Sequence, residues 1–393
     1  MEQFDVVVVG AGLAGLQCAR LLGQADLRVL LVDHKQNLTQ SIHTTGIFVR
    51  RTLEDFEIPE DCLGPVVRDV TLYSPARRSL KLSSSHDEFR IGRMGKLYQR
   101  LLEQSLRDGV EWMPGTRYAD HSVLKNEIVV RLDGKRSSRW IKARYIVGAD
   151  GANSRVARQL QVDTNTKWIV GVEDVLRGVP LNGPPRLHCF LDRKLAPGYL
   201  AWVANDGEET HIGVGGYAAM FDPTEALDRF RGSLDHIIDM TSSTWIERRG
   251  GRIPVGGVLP RIANRHGLLV GDAAGAVSPL TAGGLDPCMR LSTLAARVIT
   301  SYLATDDPAA LTAYSGELFR TRFSSRLWMR RFVAAMNQPV LELAFATLRL
   351  PILNMFAKQV FFGRGSFPDV EEGVSQPVAG VENGLCMEQT SRL

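Results

Sequence analysis

Cysteine is scarce in this 393-residue chain: Cys18, Cys62, Cys189, Cys288 and Cys386, with no C-x-x-C pair among them. Odd in number and scattered, they argue against a disulfide framework and against a zinc site, and no metal ligands are expected. Charge of one sign is equally scarce. A net charge of +4 is small for this length and does not suggest a nucleic-acid partner, so none is expected. No run of 18 uninterrupted apolar residues occurs, which excludes an ordinary transmembrane helix. The first strand is entered by residue 4, so no signal peptide is expected, and reduced thiols then suit a cytoplasmic protein. No internal repeat is visible. Against these absences stand 44% hydrophobic and 23% charged residues. Those are the proportions of a globular protein, long enough for two interleaved domains.

Glycine is placed rather than scarce. The stretch FDVVVVGAGLAGLQCARLL begins with Val6–Val9, a β-branched run too short for a helix and suited to a buried parallel strand. Gly10, Gly12 and Gly15 follow on a G-x-G-x-x-G pattern, with Leu13 and Ala14 inside it and Leu16, Ala19 and Leu22 as the apolar stripe of a helix. In such a turn the first glycine permits the reversal, the second admits a pyrophosphate, and the third packs helix on strand. A second strand, LRVLLVD, ends in Asp33, followed by His34. A carboxylate at that distance suits the two hydroxyls of an adenosine ribose. The pattern points to a dinucleotide, with NAD and FAD both open at this stage.

Further along, VVRDVTLYSP and RRSLKLSS alternate as strands, and RMGKLYQRLLEQSL places Met94, Leu97, Leu101, Leu102 and Leu106 on one helix face expected to be buried. From about Lys167 to Arg252 the reading is mostly β, with WIVGV, LHCFL, GYLAWVA and THIGVGG as strands and PTEALDRFRGSLDHII as one helix. From Gly283 to Phe362 the chain reads as helical, and from Gly363 onward as a loosely ordered tail. The expected fold class is α/β: a discontinuous Rossmann-like domain from 1–65, 93–165 and 253–305, with an inserted β-rich substrate domain from 66–92 and 166–252. A C-terminal helical region (306–362) and the tail (363–393) complete the chain.

Two later stretches choose the nucleotide. YIVGADGANSRVARQL is a strand, then Asp150-Gly151, then a helix opening at Ser154-Arg155. HGLLVGDAAGAVSPLTAGGLDPCMRL is a strand, then Gly271-Asp272, then Gly283-Gly284 at the head of a long helix. FAD is longer than one mononucleotide site, so it needs a second carboxylate for the ribityl chain and small residues beside the ring. Asp272 can accept from ribityl hydroxyls, while Gly283, Gly284 and Leu285 present backbone N–H groups to the ring edge. Asp150 is expected near the pyrophosphate, or organising the backbone between strands.

In this order the three motifs resemble the FAD-dependent oxidoreductases built like p-hydroxybenzoate hydroxylase, over roughly residues 1–305. Within them the chain is most similar to the geranylgeranyl reductase family. GDAAGAVSPLTAGGL resembles that family's G-D-A-A-G-x-x-x-P-x-x-G-x-G-I segment, with Pro279 at the proline and Leu285 in the last place. GYLAWVA resembles its Y-x-W-x-F-P motif through Tyr199 and Trp202, with Val203 and Ala204 replacing Phe-Pro; in SIHTTGI, His43 stands where the family has cysteine. The resemblance implies FAD, Ala14 and Asp33 at the adenosine end, His43, Thr44 and Gly46 as a loop passing the flavin, and Arg93 reaching the cofactor. It implies Asp272, Gly284 and Leu285 at the ribityl chain and ring, and Tyr199 and Trp202 lining the substrate cavity.

The activity implied is reduction of isoprenoid carbon–carbon double bonds by hydride transfer from reduced flavin. No catalytic residue is assigned; His43, Tyr199 and water are the candidates for the proton. No second dinucleotide loop is present, so NAD(P)H would react without its own Rossmann domain, and a ferredoxin-type donor stays open. The alternative activity is that of a single-component FAD monooxygenase, a hydroxylase or epoxidase using O₂ and NAD(P)H. The inward β residues are expected to be Trp168, Val170, Val172, Leu200, Trp202 and Val214, an apolar set suited to a hydrophobic or lipid substrate. In LFRTRFSSRLWMRRF, Arg320, Arg322, Arg326, Arg330 and Arg331 interleave with aromatic and aliphatic residues. Two readings stand for it: a solvated basic face on a helical cap, or a surface making peripheral contact with anionic membrane.

Overall fold

The Val6–Val9 run lies at the centre of the fold, in the strand Gln3–Val9. A computed structural model of the chain describes residues 1–124, 127–180 and 183–363, so the expected tail, Gly363 apart, lies outside the described residues. Gln3–Val9 pairs in parallel with Val29–Val32 on one side and Ser138–Gly148 on the other. An eight-stranded sheet results, extended by Glu111–Met113 beyond the first neighbour and by Gly267–Leu269 and Ala263–Asn264 beyond the second. The antiparallel pair Arg117–Leu124 and Glu127–Asp133 joins the outer half of Ser138–Gly148. β-Branched strands buried on both faces need helices to cover them. Leu13–Gly23 packs against Met94–Arg107 and Leu285–Thr305, and these helices share one apolar core with the sheet.

A seven-stranded sheet runs Thr244–Pro254, Trp168–Arg177, Glu209–Gly216, Ala201–Asn205, Arg186–Phe190, Asp69–Tyr73, Ser79–Ser83. One face is covered by the helix Pro223–Gly232, whose Leu227 and Phe230 share a core with Val203, Ile212 and Val214. Asp222 caps that helix, accepting the N–H groups of Thr224 and Glu225. It stops at Gly232, short of the expected Ile238, where Ser233 Oγ–H turns back to the Phe230 carbonyl. A separate three-stranded sheet, Ile47–Val49, Phe89–Gly92 and Leu63–Val67, was not legible as a unit, because its strands are brought together from distant segments.

The C-terminal helices include Gly316–Thr321, Ser324–Ala335, Gln338–Thr347 and Pro351–Phe362. The arginine-rich stretch departs from the reading that makes it a solvated basic face. Arg330 is 5% exposed and donates to the carbonyls of Pro279 and Gly198. Arg326 donates to Ser278 Oγ, and Arg320 to the carbonyls of Gly256 and Val258. Three of the five arginines therefore tie the helices to the body instead of forming a basic face. Four of the acceptors are backbone carbonyls, and a carbonyl leaves no mark in a sequence. No single helix among the described residues is long and apolar enough to cross a membrane.

Candidate active site

One cavity of about 1080 Å³ runs between the two large sheets and under the C-terminal helices. At one end stands the glycine loop. Gly10 has φ +104°, and a Cβ there would strike the Ala149 carbonyl, so only glycine lets the first strand turn this close to its neighbour. Gly10 and Gly15 stand behind the cavity wall and hold strand and helix together; Gly12, Leu13 and Ala14 line it. A Cβ on Gly12 would meet nothing within 4 Å, leaving space over the loop for a pyrophosphate.

Asp33 ends the strand Val29–Val32 and is nearly buried. Its Oδ2 accepts the Ala11 N–H at 2.7 Å and its Oδ1 the Lys35 N–H at 2.8 Å, so the carboxylate is oriented before any ribose arrives. His34 pairs with Asp33 Oδ1 at 3.1 Å from outside the cavity. Lys35, which sequence reasoning passed over, lines the cavity and donates from Nζ to the Ser41 carbonyl.

The second carboxylate is Asp272, on the short turn Gly271–Ala274. Burial pushes its carboxyl up to about 6. Among the described residues no donor reaches its carboxylate, so it is an acceptor awaiting hydroxyl groups, which a ribityl chain supplies. Gly283, Gly284 and Leu285 stand beside it on the cavity wall. Gly284 caps the 21-residue helix Leu285–Thr305 with no side-chain hydrogen bond, so the helix offers free N–H groups where a flavin ring edge would carry negative charge. The residues present fit FAD.

His43, Thr44 and Gly46 also line the cavity. His43 donates its Nδ1–H to the Gly250 carbonyl at 2.9 Å, which leaves Nε2 as the acceptor nitrogen. Burial first, then Lys35, lowers its pKa, so the neutral ring prevails at neutral pH. Tyr199 directs its O–H to the Thr281 carbonyl at 2.6 Å, and its rings and those of Trp202 meet edge to face on the wall.

Two expectations, for Arg93 and Pro279, are corrected by the geometry, and for Asp150 one of two is selected. Arg93 does not line the cavity: its guanidinium pairs with Glu208 at 3.1 Å and donates to the Asp61 and Asp206 carbonyls. Asp150, expected near the pyrophosphate or organising the backbone between strands, does the second and does not line the cavity. Its carboxylate accepts from Ser154 Oγ and the N–H groups of Arg155 and Val156, fastening the helix Arg155–Gln159 while neighbouring Gly151 lines the site. Pro279 contributes its carbonyl to Arg330 rather than a cavity surface. Of the expected inward β residues, Val172, Leu200 and Trp202 line the cavity, and Trp168, Val170 and Val214 do not. The alternation was assigned to the wrong face on the strand Glu209–Gly216, because the apolar face packs on a helix and the cavity face is glycine. Gly213 and Gly215 lie under the Trp202 and Tyr199 rings; a Cβ on Gly215 would come within 2.8 Å of Tyr199.

Sequence reasoning missed Glu173, Arg249 and His211, all buried, and the C-terminal apolar wall that includes Phe345, Leu348, Phe356 and Phe361. A charged residue inside an apolar strand was the available signal for Glu173.

Similarity to known proteins agrees with this geometry. The model of the FAD binding domain family matches residues 3–330. Digeranylgeranylglycerophospholipid reductase of Methanocella arvoryzae is 26% identical over 330 residues, covering 81% of this chain and 83% of that protein. The enzyme of the same name from Methanothrix thermoacetophila is 28% identical over 317 residues, covering 77% and 79%. A geranylgeranyl bacteriochlorophyll reductase-like protein from Thermoplasma acidophilum superposes with a TM-score of 0.81 at 18% identity, covering 96% of both chains. The p-nitrophenol 4-monooxygenase of Pseudomonas putida shares the fold at a TM-score of 0.67 and 17% identity, over 95% of this chain and 96% of that one. Two carboxylates, a glycine loop and a bare helix N-terminus around one cavity, with a family match across four-fifths of the chain, lead to one conclusion: this protein belongs to the FAD binding domain family, and it is an FAD-dependent oxidoreductase related to the geranylgeranyl reductases.

Proposed function

We propose that this protein reduces carbon–carbon double bonds of a long, apolar isoprenoid or lipid substrate. One observation carries the reading. The cavity that holds Asp272, Gly283 and Gly284 at its polar end continues without a break into a wall that includes Phe345, Leu348, Phe356 and Phe361. A substrate filling it must be mostly hydrocarbon, since apolar surface leaves water at about 25 cal/mol per Å² while unpaired polar groups would be penalised. The relatives named digeranylgeranylglycerophospholipid reductase support this choice.

Bound FAD supplies hydride-transfer chemistry, with NAD(P)H or a ferredoxin-type protein as the source of electrons. Gly12, Leu13 and Ala14 with Asp33 would hold the adenosine half, on the turn that Gly10 and Gly15 set from behind; Gly271, Asp272, Gly284 and Leu285 would hold the ribityl chain and ring. Tyr199 and Trp202 form the wall on which the substrate chain lies, and the glycines beneath them let both rings lie close to the sheet. His43 holds its proton at Nδ1 against the Gly250 carbonyl and is set to accept one at Nε2. Tyr199 commits its proton to the Thr281 carbonyl. Water in the cavity is then the proton source that needs no rearrangement. Leu343, Ile352, Met355 and Phe356 are exposed on the C-terminal helices Gln338–Thr347 and Pro351–Phe362, and we infer peripheral contact with a lipid surface through them.

Mass spectrometry of the ligands released from purified protein should find FAD together with an isoprenoid lipid. Anaerobic turnover with reduced flavin should yield the saturated product. Product that forms only with O₂ would instead establish the monooxygenase activity.

A further inference from the structure

Four strands of the seven-stranded sheet contribute one residue each to a single row: Arg249, Glu173, Gly213 and Trp202, aligned in register. Gly213 has no side chain, so the Trp202 indole reaches over it and donates Nε1–H to Glu173 Oε2 at 3.3 Å. The same oxygen accepts the Thr45 hydroxyl at 2.6 Å. The other oxygen, Oε1, takes Arg249 Nε at 2.6 Å. Arg249 uses Nη2 for both the Thr44 carbonyl, at 3.1 Å, and His211 Nδ1, at 3.0 Å. Glu173 and Arg249 are each less than 10% exposed. Such a pair recovers little stability over an apolar pair of equal volume, because both ions must leave water. Removing one partner alone is costly, so the arrangement resists change and holds its neighbours in register.

Its neighbours are the two sides of the cavity. Thr44 and Thr45 belong to the loop that passes the cofactor, and Trp202 belongs to the wall that meets the substrate. We propose that Glu173 and Arg249 are positioning residues that join these sides, so that the setting of the Thr44–Thr45 loop and the orientation of the Trp202 ring are one variable. The proposal deepens the reading of the cavity given above and rests on its assignment of loop and wall. No proton moves through the pair: Arg249 donates to His211 Nδ1, so the His211 proton sits at Nε2, which has no hydrogen-bond partner among the described residues.

The test is a double-substitution cycle on the FAD-bound full chain. Thr45→Val removes the loop donor to Glu173, and Trp202→Phe removes the wall donor. The readouts are the FAD dissociation constant and the visible absorption band of bound flavin, neither of which needs substrate, so an error in the substrate class leaves the cycle readable. Trp202→Phe, though remote from the glycine loops, should shift the flavin band in the same direction as Thr45→Val. In FAD affinity the double variant should depart from the product of the single effects by about twofold or more. In a Glu173→Gln background that departure should vanish, and Thr45→Ser should restore the wild-type values. Independent, multiplicative effects would overturn the proposal, as would a departure that survives Glu173→Gln. Should Glu173→Gln fail to fold, the wild-type cycle and the Ser–Val contrast at Thr45 decide alone.

Discussion

Replacing Asp272 by asparagine should strengthen the FAD-free protein while weakening its hold on FAD. The reason lies in the burial that pushes this carboxyl from 3.8 to about 6. A raised carboxyl pKa means that the charged form is disfavoured in the folded state. At pH values above both 3.8 and 6 the folded protein carries a penalty of ~3 kcal/mol, at 1.36 kcal/mol for each tenfold change in proton affinity. Water in so large a cavity screens part of this, which leaves about 1–3 kcal/mol. Asparagine keeps the shape and removes the charge. Urea unfolding of the FAD-free variant at pH 7.5 should therefore show a gain of that size. The sign fixes the pH window: below 3.8 both folded and unfolded wild-type chains are protonated at this position and the gain is absent, and it grows as the pH rises through 6. FAD titration of the same variant should show affinity lower by about 1.5–3 kcal/mol, the range for hydrogen bonds to a charged acceptor. An FAD-free variant less stable than wild type at pH 7.5, or a gain just as large at pH 4, would refute the reasoning.

Asp33→Ala should weaken FAD binding by about 1.5–3 kcal/mol, since one ordered carboxylate would serve both ribose hydroxyls; unchanged occupancy at limiting FAD would place the adenosine end elsewhere. Gly284→Val puts a Cβ 3.2 Å from Val277 and 3.6 Å from Asp272. By pushing the helix N–H groups back from the reduced ring, it should lower the flavin midpoint potential by roughly 30 mV per 1.4 kcal/mol lost; a potentiometric titration with no fall in a variant still holding FAD would contradict the placement. Gly215→Val should displace Tyr199 and reduce the affinity for long-chain substrate with little change in FAD affinity, measured by separate titrations.

The cofactor half of the molecule was legible in the sequence because its motifs are local. A turn that brings backbone to a phosphate demands glycine within a few residues of a strand end, and Gly10, Gly12 and Asp33 mark it in the letters. Asp150 shows the limit of that signal: the strand, turn and helix around it were readable, but its carboxylate caps its own helix. Arg93 failed for the opposite reason. Its partners, Glu208 and two carbonyls, arrive from other segments, and no local pattern records them. The cavity wall was misread on Val214 because alternation tells which residues share a face and not which face meets the cavity. The Glu173–Arg249 pair depends on register between strands 76 residues apart, which periodicity does not encode.

The parallel pairing at the centre of the fold has a consequence for synthesis. Val9 aligns with Gly148, and Gly148 with Leu269, so the first strand made waits for neighbours that leave the ribosome much later. The helix that meets the flavin edge begins only at Leu285. Until residue 148 is made the Val6–Val9 strand has only Val29–Val32 beside it, and until Leu269 is made the strand Ser138–Gly148 in turn lacks its outer neighbour; an apolar strand with an open edge is the state most prone to stick to other chains. Nascent chains released before Leu285 would keep the glycine loop yet lack Asp272 or its helix. Cofactor capture is thus a late event: the site is complete only once Asp272 and the first turn of the helix Leu285–Thr305 have been made.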